Sequence, residues 1–149
     1  NVTLEHFYGS DDDKTKFVSY VFNSLLNQVD KIDLTKGEQK RDFVYIDDVV
    51  DAFVRVIDHS YNLGNGFYEY QIGSGWPIAI KEFVVLMKEM LGNEKTVLNF
   101  GVLPYRENEV MECAADISEI IKLGWTPRYS PMGGLEKMIE QELNRPTVK

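Results

Sequence analysis

Apolar residues along this chain fall into two kinds of block, and the two kinds alternate. Val2 to Tyr8 (VTLEHFY), Lys31 to Thr35 (KIDLT), Arg41 to Ile46 (RDFVYI), Phe67 to Ile72 (FYEYQI) and Thr96 to Phe100 (TVLNF) are short runs rich in β-branched and aromatic residues. Bounded by turn formers, they predict strands. Between them the apolar positions switch to helical spacing: Phe17, Val18, Val21, Phe22, Leu25, Leu26 and Val29; then Val49, Val50, Phe53, Val54 and Ile57; then Ile80, Phe83, Val84, Met87 and Leu91. Ile120, Ile121 and Leu123 give a short helix, and Leu135, Met138, Ile139 and Leu143 a final one.

The polar residues at the ends of these blocks carry start and stop signals. Asp13 and Asp47 are placed to cap the first two helices, Asp116 and Glu119 have capping-box spacing, and Ser130-Pro131 opens the last helix. Gly92 and Gly124 suit left-handed stops, while Lys36-Gly37-Glu38, Asn62 to Gly66 and Gly73-Ser74-Gly75 are turn chemistry. Alternating strands and helices make the class α/β or α+β, and the short strands favour a small mixed sheet over a complete parallel one. The opening strand starts immediately after Asn1, without an initiator methionine, which is the expectation for part of a longer protein.

Composition narrows the partners. At 149 residues and 44% hydrophobic, the chain has material for one core and one domain. A formal net charge of −8, with no local basic patch, opposes nucleic acid and anionic membrane surfaces. A single cysteine, Cys113, excludes an internal disulfide framework and any multi-cysteine metal site, and reads as a small buried residue near a strand. No apolar run reaches the ~20 residues of a membrane span and no signal core opens the chain, so the expectation is a soluble, cytoplasmic protein.

Few residues carry chemistry by pattern alone. The only histidines are His6 and His59, neither in a metal-binding spacing; His59 suits a helix end, and His6 is divided between a surface role and a ligand-facing one beside a loop. The acidic loop Ser10 to Asp13 reads as solvation or capping, with a cation site as the alternative. The pairs Gly64/Gly66 and Gly73/Gly75 lack the third glycine of a dinucleotide fingerprint. What remains is a dispersed set at element ends: Lys14 and Lys16, Arg41, Arg106, and Glu109 three residues on. A guanidinium fork matches phosphate oxygens and a carboxylate accepts from ribose hydroxyls, so together they suit a nucleoside diphosphate; ordinary solvated surface is the competing reading.

Three stretches sharpen this. Leu34 to Ala52 (LTKGEQKRDFVYIDDVVDA) resembles the Gly-x-Gln-x-Arg-Asp-Phe segment of the extended short-chain dehydrogenases, the NAD-dependent epimerase/dehydratase family that acts on nucleotide-sugars. His6 to Phe17 (HFYGSDDDKTKF) resembles that family's Tyr-Gly loop and following helix, and Arg106 to Trp125 (RENEVMECAADISEIIKLGW) its late Arg-x-x-Glu and Asp-x-Ser…Leu-Gly-Trp pattern. Within the family, Glu5-His6 before Phe7-Tyr8-Gly9 is most similar to the reductases that make CDP-abequose or CDP-paratose.

The resemblance implies that Arg41 and Arg106 hold the diphosphate, that Glu109 accepts from the nucleotide ribose, that Lys16 lies against the phosphates and that His6 faces the sugar. Lys16 and His6 stand where the family more often has asparagine, Ser10 replaces a proline, and Ala79 replaces a helix-capping serine. It also implies an α/β fold, the C-terminal substrate-binding part of an extended Rossmann-type architecture. The N-terminal half would hold NAD(P), and residues 1–9 and about 41–59 would pack on it. The ligand would be a CDP-, dTDP- or UDP-linked sugar, the setting deoxysugar biosynthesis, and the full-length enzyme a homodimer.

No catalytic, cofactor-binding or metal residue is assigned in this chain. The family's Tyr-x-x-x-Lys pair is missing: none of the eight tyrosines has a lysine four residues on. The chain alone is therefore expected to bind no cofactor and to be inert. A non-catalytic binding or assembly module is the alternative.

Overall fold

The computed structural model describes residues 1–144. Its first strand is two strands. Val2–Leu4 (β1) and His6–Tyr8 (β2) are separated by Glu5, because they serve different partners. β1 pairs in parallel with β6 (Tyr70–Ile72), and β2 in parallel with β5 (Phe43–Tyr45). At the handover the amide of Glu5 donates to the carbonyl of Ile72 and the amide of His6 to that of Asp42.

A second break falls at Asp42. The predicted strand Arg41 to Ile46 is divided into β4 (Lys40–Arg41) and β5, with β4 antiparallel to β7 (Ile78–Ala79). β3 (Lys31–Leu34) and β8 (Val97–Phe100) form a further parallel pair. The sheet is thus mixed and short, as four two-stranded ladders. Asp42 at the break is fully buried: one oxygen accepts from the amide and hydroxyl of Ser74, each at 2.6 Å, the other from the amides of Gly75 (3.2 Å) and Ala115 (3.1 Å). A buried carboxylate is tolerable only with its lone pairs engaged in this way.

The helices are α1 (Phe17–Leu26), α2 (Ile46–Ser60), α3 (Ile80–Met90), α4 (Ser118–Ile121) and α5 (Pro131–Leu143). Ser130 accepts from the amide of Gly133, and Gly92 and Gly124 take positive φ of 59° and 79°, as the sequence predicts. Three predicted caps are corrected. Asp13 accepts from Thr15 in a turn before α1, whose boundary residue is Lys16; Asp47 lies inside the first turn of α2; Asp116 accepts from Ser118 without a capping box. Asp13 and Asp116 each serve an amide two residues on, and spacing alone does not say whether the helix has begun there. Ala79 bounds α3 with no side-chain cap.

Two cores result. In one, α1, α3 and α5 pack on β2, β3 and β5, with Phe43 stacked on Phe83 at 4.0 Å between ring centres. Tyr8 crosses this core to donate to the carbonyl of Pro131 at 3.1 Å. The other gathers Val44, Val49, Ala52, Tyr70, Ile72, Ile120 and Trp125 on the inner face of α2. Trp125 donates to the carbonyl of Asp48 at 3.1 Å, and the buried Asp48 carboxylate accepts from the amides of Arg128 and Tyr129, both at 3.0 Å. The outer face of α2 (Val50, Phe53, Val54, Ile57) is exposed, as is Phe67, which lies ahead of the shortened strand β6. Among the described residues no helix is long and apolar enough to cross a membrane.

Candidate functional site

One cleft, with a volume of about 630 Å³, opens beside these breaks. β2 brings His6 and Phe7 to it, the start of α1 brings Lys16, β3 brings Asp33 and Leu34, β4 brings Arg41, and the 103–109 segment brings Leu103, Arg106 and Glu109. All five site residues expected from the sequence therefore line the same space: His6, Lys16, Arg41, Arg106 and Glu109. Lys14 does not.

Their surroundings differ. Arg41 is buried to 7% exposure, donates to its neighbour's carbonyl on Lys40 at 2.8 Å, and forms a close ion pair with Glu109 through Nη2 and Oε1. Glu109 is brought there by a turn in which its amide donates to the carbonyl of Arg106, with Asn108 at φ 61°. Arg106 itself is exposed and has no ion pair among the described residues. Lys16 meets Asp12 at 2.8 Å and lies over the ring of Phe7 at 4.6 Å. Four cationic or protonatable groups and three carboxylates (Asp12, Asp33, Glu109) thus share the cleft wall.

His6 rests edge-on against Phe43, with Nδ1 3.6 Å from the Glu5 carboxylate. Burial, and then the Arg41 charge, hold its imidazole below the ordinary value of 6.5, opposed by Glu5 and Asp42. Cys113, half-buried rather than buried, donates its thiol to the same Glu5 oxygen at 3.1 Å, and that contact, then burial, pushes the thiol up.

Sequence reasoning missed Glu5, Asp12, Asp33 and Gln39. Gln39 is 5% exposed and lines the cleft; its amide nitrogen donates to Thr35 at 3.2 Å, while its side-chain oxygen has no partner. Its place two residues before Arg41 in the Gly-x-Gln-x-Arg-Asp-Phe stretch was the available signal. No group of acids, histidines and cysteine among the described residues could hold a metal.

β5 runs directly into α2 without a glycine turn, and the first turn of α2 carries Asp47 and Asp48, charges that oppose a pyrophosphate there.

Residues 1–73 match the model of the NAD dependent epimerase/dehydratase family. A CDP-abequose synthase of Salmonella muenchen is 38% identical over 143 residues, covering 95% of this chain and 47% of that protein. Among solved structures, a UDP-glucose 4-epimerase of Thermotoga maritima with UDP-glucose superposes with a TM-score of 0.77 at 27% identity, covering 95% of this chain and 45% of that one. MoeE5 in complex with UDP-glucose and NAD gives 0.78 at 25% identity, covering 95% and 46%. The chain belongs to the NAD dependent epimerase/dehydratase family, whose relatives here are nucleotide-sugar enzymes. It spans about half the length of the relatives it matches.

Proposed function

We propose that this chain is the nucleotide-sugar-binding part of an NAD(P)-dependent reductase, epimerase or dehydratase of deoxysugar biosynthesis. In this reading the diphosphate lies against Arg41 and Arg106, with Lys16 beside it. The nucleotide ribose donates to Glu109, and His6 faces the sugar. The observation that carries the reading is the convergence of these five residues, from β2, α1, β4 and the 106–109 turn, on one cleft. The match to CDP-abequose synthase over 95% of the chain supports a CDP-linked sugar.

The same reading assigns chemistry and cofactor to another part of the protein. With no Tyr-x-x-x-Lys pair in its sequence, this chain by itself would have no acid/base for hydride transfer. That other part would pack on residues 1–9 and on the outer face of α2, where Val50 and Ile57 are 56% and 54% exposed. Residues 42–45, which are buried within this chain, would contribute through α2 rather than directly.

Calorimetry with CDP, UDP and dTDP tests the site. Arg41→Ala and Arg106→Ala should each weaken binding by about 1.5–3 kcal/mol, the range for a hydrogen bond to a charged group. Arg106→Lys should recover part, keeping charge and losing the fork. Glu109→Gln should cost less, because the amide retains one acceptor oxygen toward the ribose. Unchanged affinity in both alanine variants would overturn the assignment.

A further inference from the structure

His6, Glu5 and Cys113 form a cluster at the β1–β2 break that the diphosphate site does not use. Glu5 faces two hydrogen carriers with one oxygen: Oε2 accepts from the Cys113 thiol at 3.1 Å and lies 3.6 Å from His6 Nδ1. The carboxylate is only 15% exposed, and its backbone is held by the bond from its amide to Ile72. Cys113 is held from the other side, its amide donating to the carbonyl of Lys40 at 3.2 Å. The cluster is therefore fixed by two elements that also carry the cleft, β2 and the segment following Glu109.

At 3.6 Å the Glu5–His6 contact is longer than a hydrogen bond, yet a full negative charge there still discriminates between the two imidazole tautomers. It repels a lone pair on Nδ1 and attracts a hydrogen. The ring is neutral at pH 7, since burial and Arg41 hold its protonation below 6.5 against the opposing effects of Glu5 and Asp42. One hydrogen is then shared between two nitrogens, and Glu5 draws it to Nδ1. Nε2 is left as a lone pair on a side chain that lines the cleft and is 49% exposed.

We infer that Glu5, steadied by the Cys113 thiol, is a positioning residue that fixes the tautomer of His6, so that the imidazole accepts a hydroxyl hydrogen from the sugar of a bound nucleotide-sugar. The inference rests on the nucleotide-sugar reading of the cleft. Its content is a selectivity: of the basic side chains in the cleft, Lys16 and Arg41 can only donate, whereas His6 in this tautomer accepts. It favours a sugar carrying a hydroxyl at that point over one lacking it.

Nitrogen NMR of the chain labelled at histidine, with His59→Gln assigning the two rings, reads the tautomer directly. The wild-type chain at pH 7.5 should show hydrogen on Nδ1 of His6, and Glu5→Gln should shift the ring toward the Nε2–H form. Cys113→Ala should give an intermediate result, which separates positioning from a folding defect. A binding series with CDP and CDP-glucose reads the consequence as the ratio of the two dissociation constants. His6→Phe and Glu5→Gln should lower that ratio by about tenfold, the scale of one hydrogen bond. His6→Asn, which retains an acceptor oxygen, should restore part of it. An Nε2–H tautomer in the wild type, or an unchanged ratio in both variants while CDP still binds, overturns this inference alone. Failure of the wild-type chain to bind CDP, UDP or dTDP overturns the nucleotide-sugar reading and this inference with it.

Discussion

Asp42→Asn should destabilise the chain far more than its near-identical shape suggests. The two carboxylate oxygens accept four hydrogens: Ser74 amide and hydroxyl at 2.6 Å on one, and the amides of Gly75 and Ala115 at 3.2 and 3.1 Å on the other. Asparagine keeps one oxygen and turns an NH₂ group toward the remaining two donors. Two donors then lose their acceptor in a fully buried pocket, and no rotation helps, because both oxygens are in use. At about 1–3 kcal/mol for each unsatisfied buried group, the loss is about 2–6 kcal/mol. That is a large part of the 5–15 kcal/mol that typically holds a domain together. With a urea slope of about 2 kcal/mol per molar, the unfolding midpoint should fall by about 1–3 M. The slope itself should stay the same. Asp42 also ties Ala115, which ends the segment bearing Arg106 and Glu109, so nucleotide affinity should drop although Asp42 does not line the cleft. A midpoint for Asp42→Asn within the error of wild type would mean that these four bonds do not organise the break between β4 and β5.

Two neighbouring glycines of α5 should respond with opposite signs: a Cβ at Gly134 would meet Tyr8 Oη at 2.2 Å, so Gly134→Ala should cost about 1–3 kcal/mol as an overpacked core. At Gly133 the nearest atom is 3.6 Å away, and Gly133→Ala should gain up to about 1 kcal/mol from helix propensity, both read by thermal unfolding. Burial, and next Tyr45 and Asp48, push the Tyr8 phenol far above its usual range, and burial, then Asp47 and Tyr129, raise Tyr45 to about 12. Folded-state values above the unfolded one of about 10 mean that this stability is intact below pH 10 and lost as pH rises further, so ultraviolet titration should show both phenols ionising above the range of a free tyrosine, Tyr8 after Tyr45. The exposed apolar face of α2 should make the chain self-associate at tens of micromolar; Phe53→Glu with Ile57→Lys should give a monomer by sedimentation at unchanged melting temperature, and a monomeric wild type would count against the proposed packing surface.

The chain's own pattern determined what depends on near neighbours. Helical spacing placed α1, α2, α3 and α5, and Ser130-Pro131, Gly92 and Gly124 marked ends that involve only adjacent backbone. The family resemblance supplied Arg41, Arg106, Glu109, Lys16 and His6, which spacing alone left indistinct from solvated surface. Tertiary structure decided everything that depends on which strand lies alongside. The runs Val2 to Tyr8 and Arg41 to Ile46 look continuous because each keeps an extended, apolar pattern, yet each changes hydrogen-bonding partner at one residue, Glu5 or Asp42. The partners of those residues lie far along the chain, at Ile72, Ser74, Cys113 and Ala115, so no local window holds the information. The same holds for Asp48, which no local pattern sets apart from its neighbour Asp47 and which the fold buries against Arg128 and Tyr129. Periodicity records which face of an element is buried; the identity of what covers that face is set only when distant segments meet, and the Arg41–Glu109 pair and the Glu5 contacts of His6 exist only then.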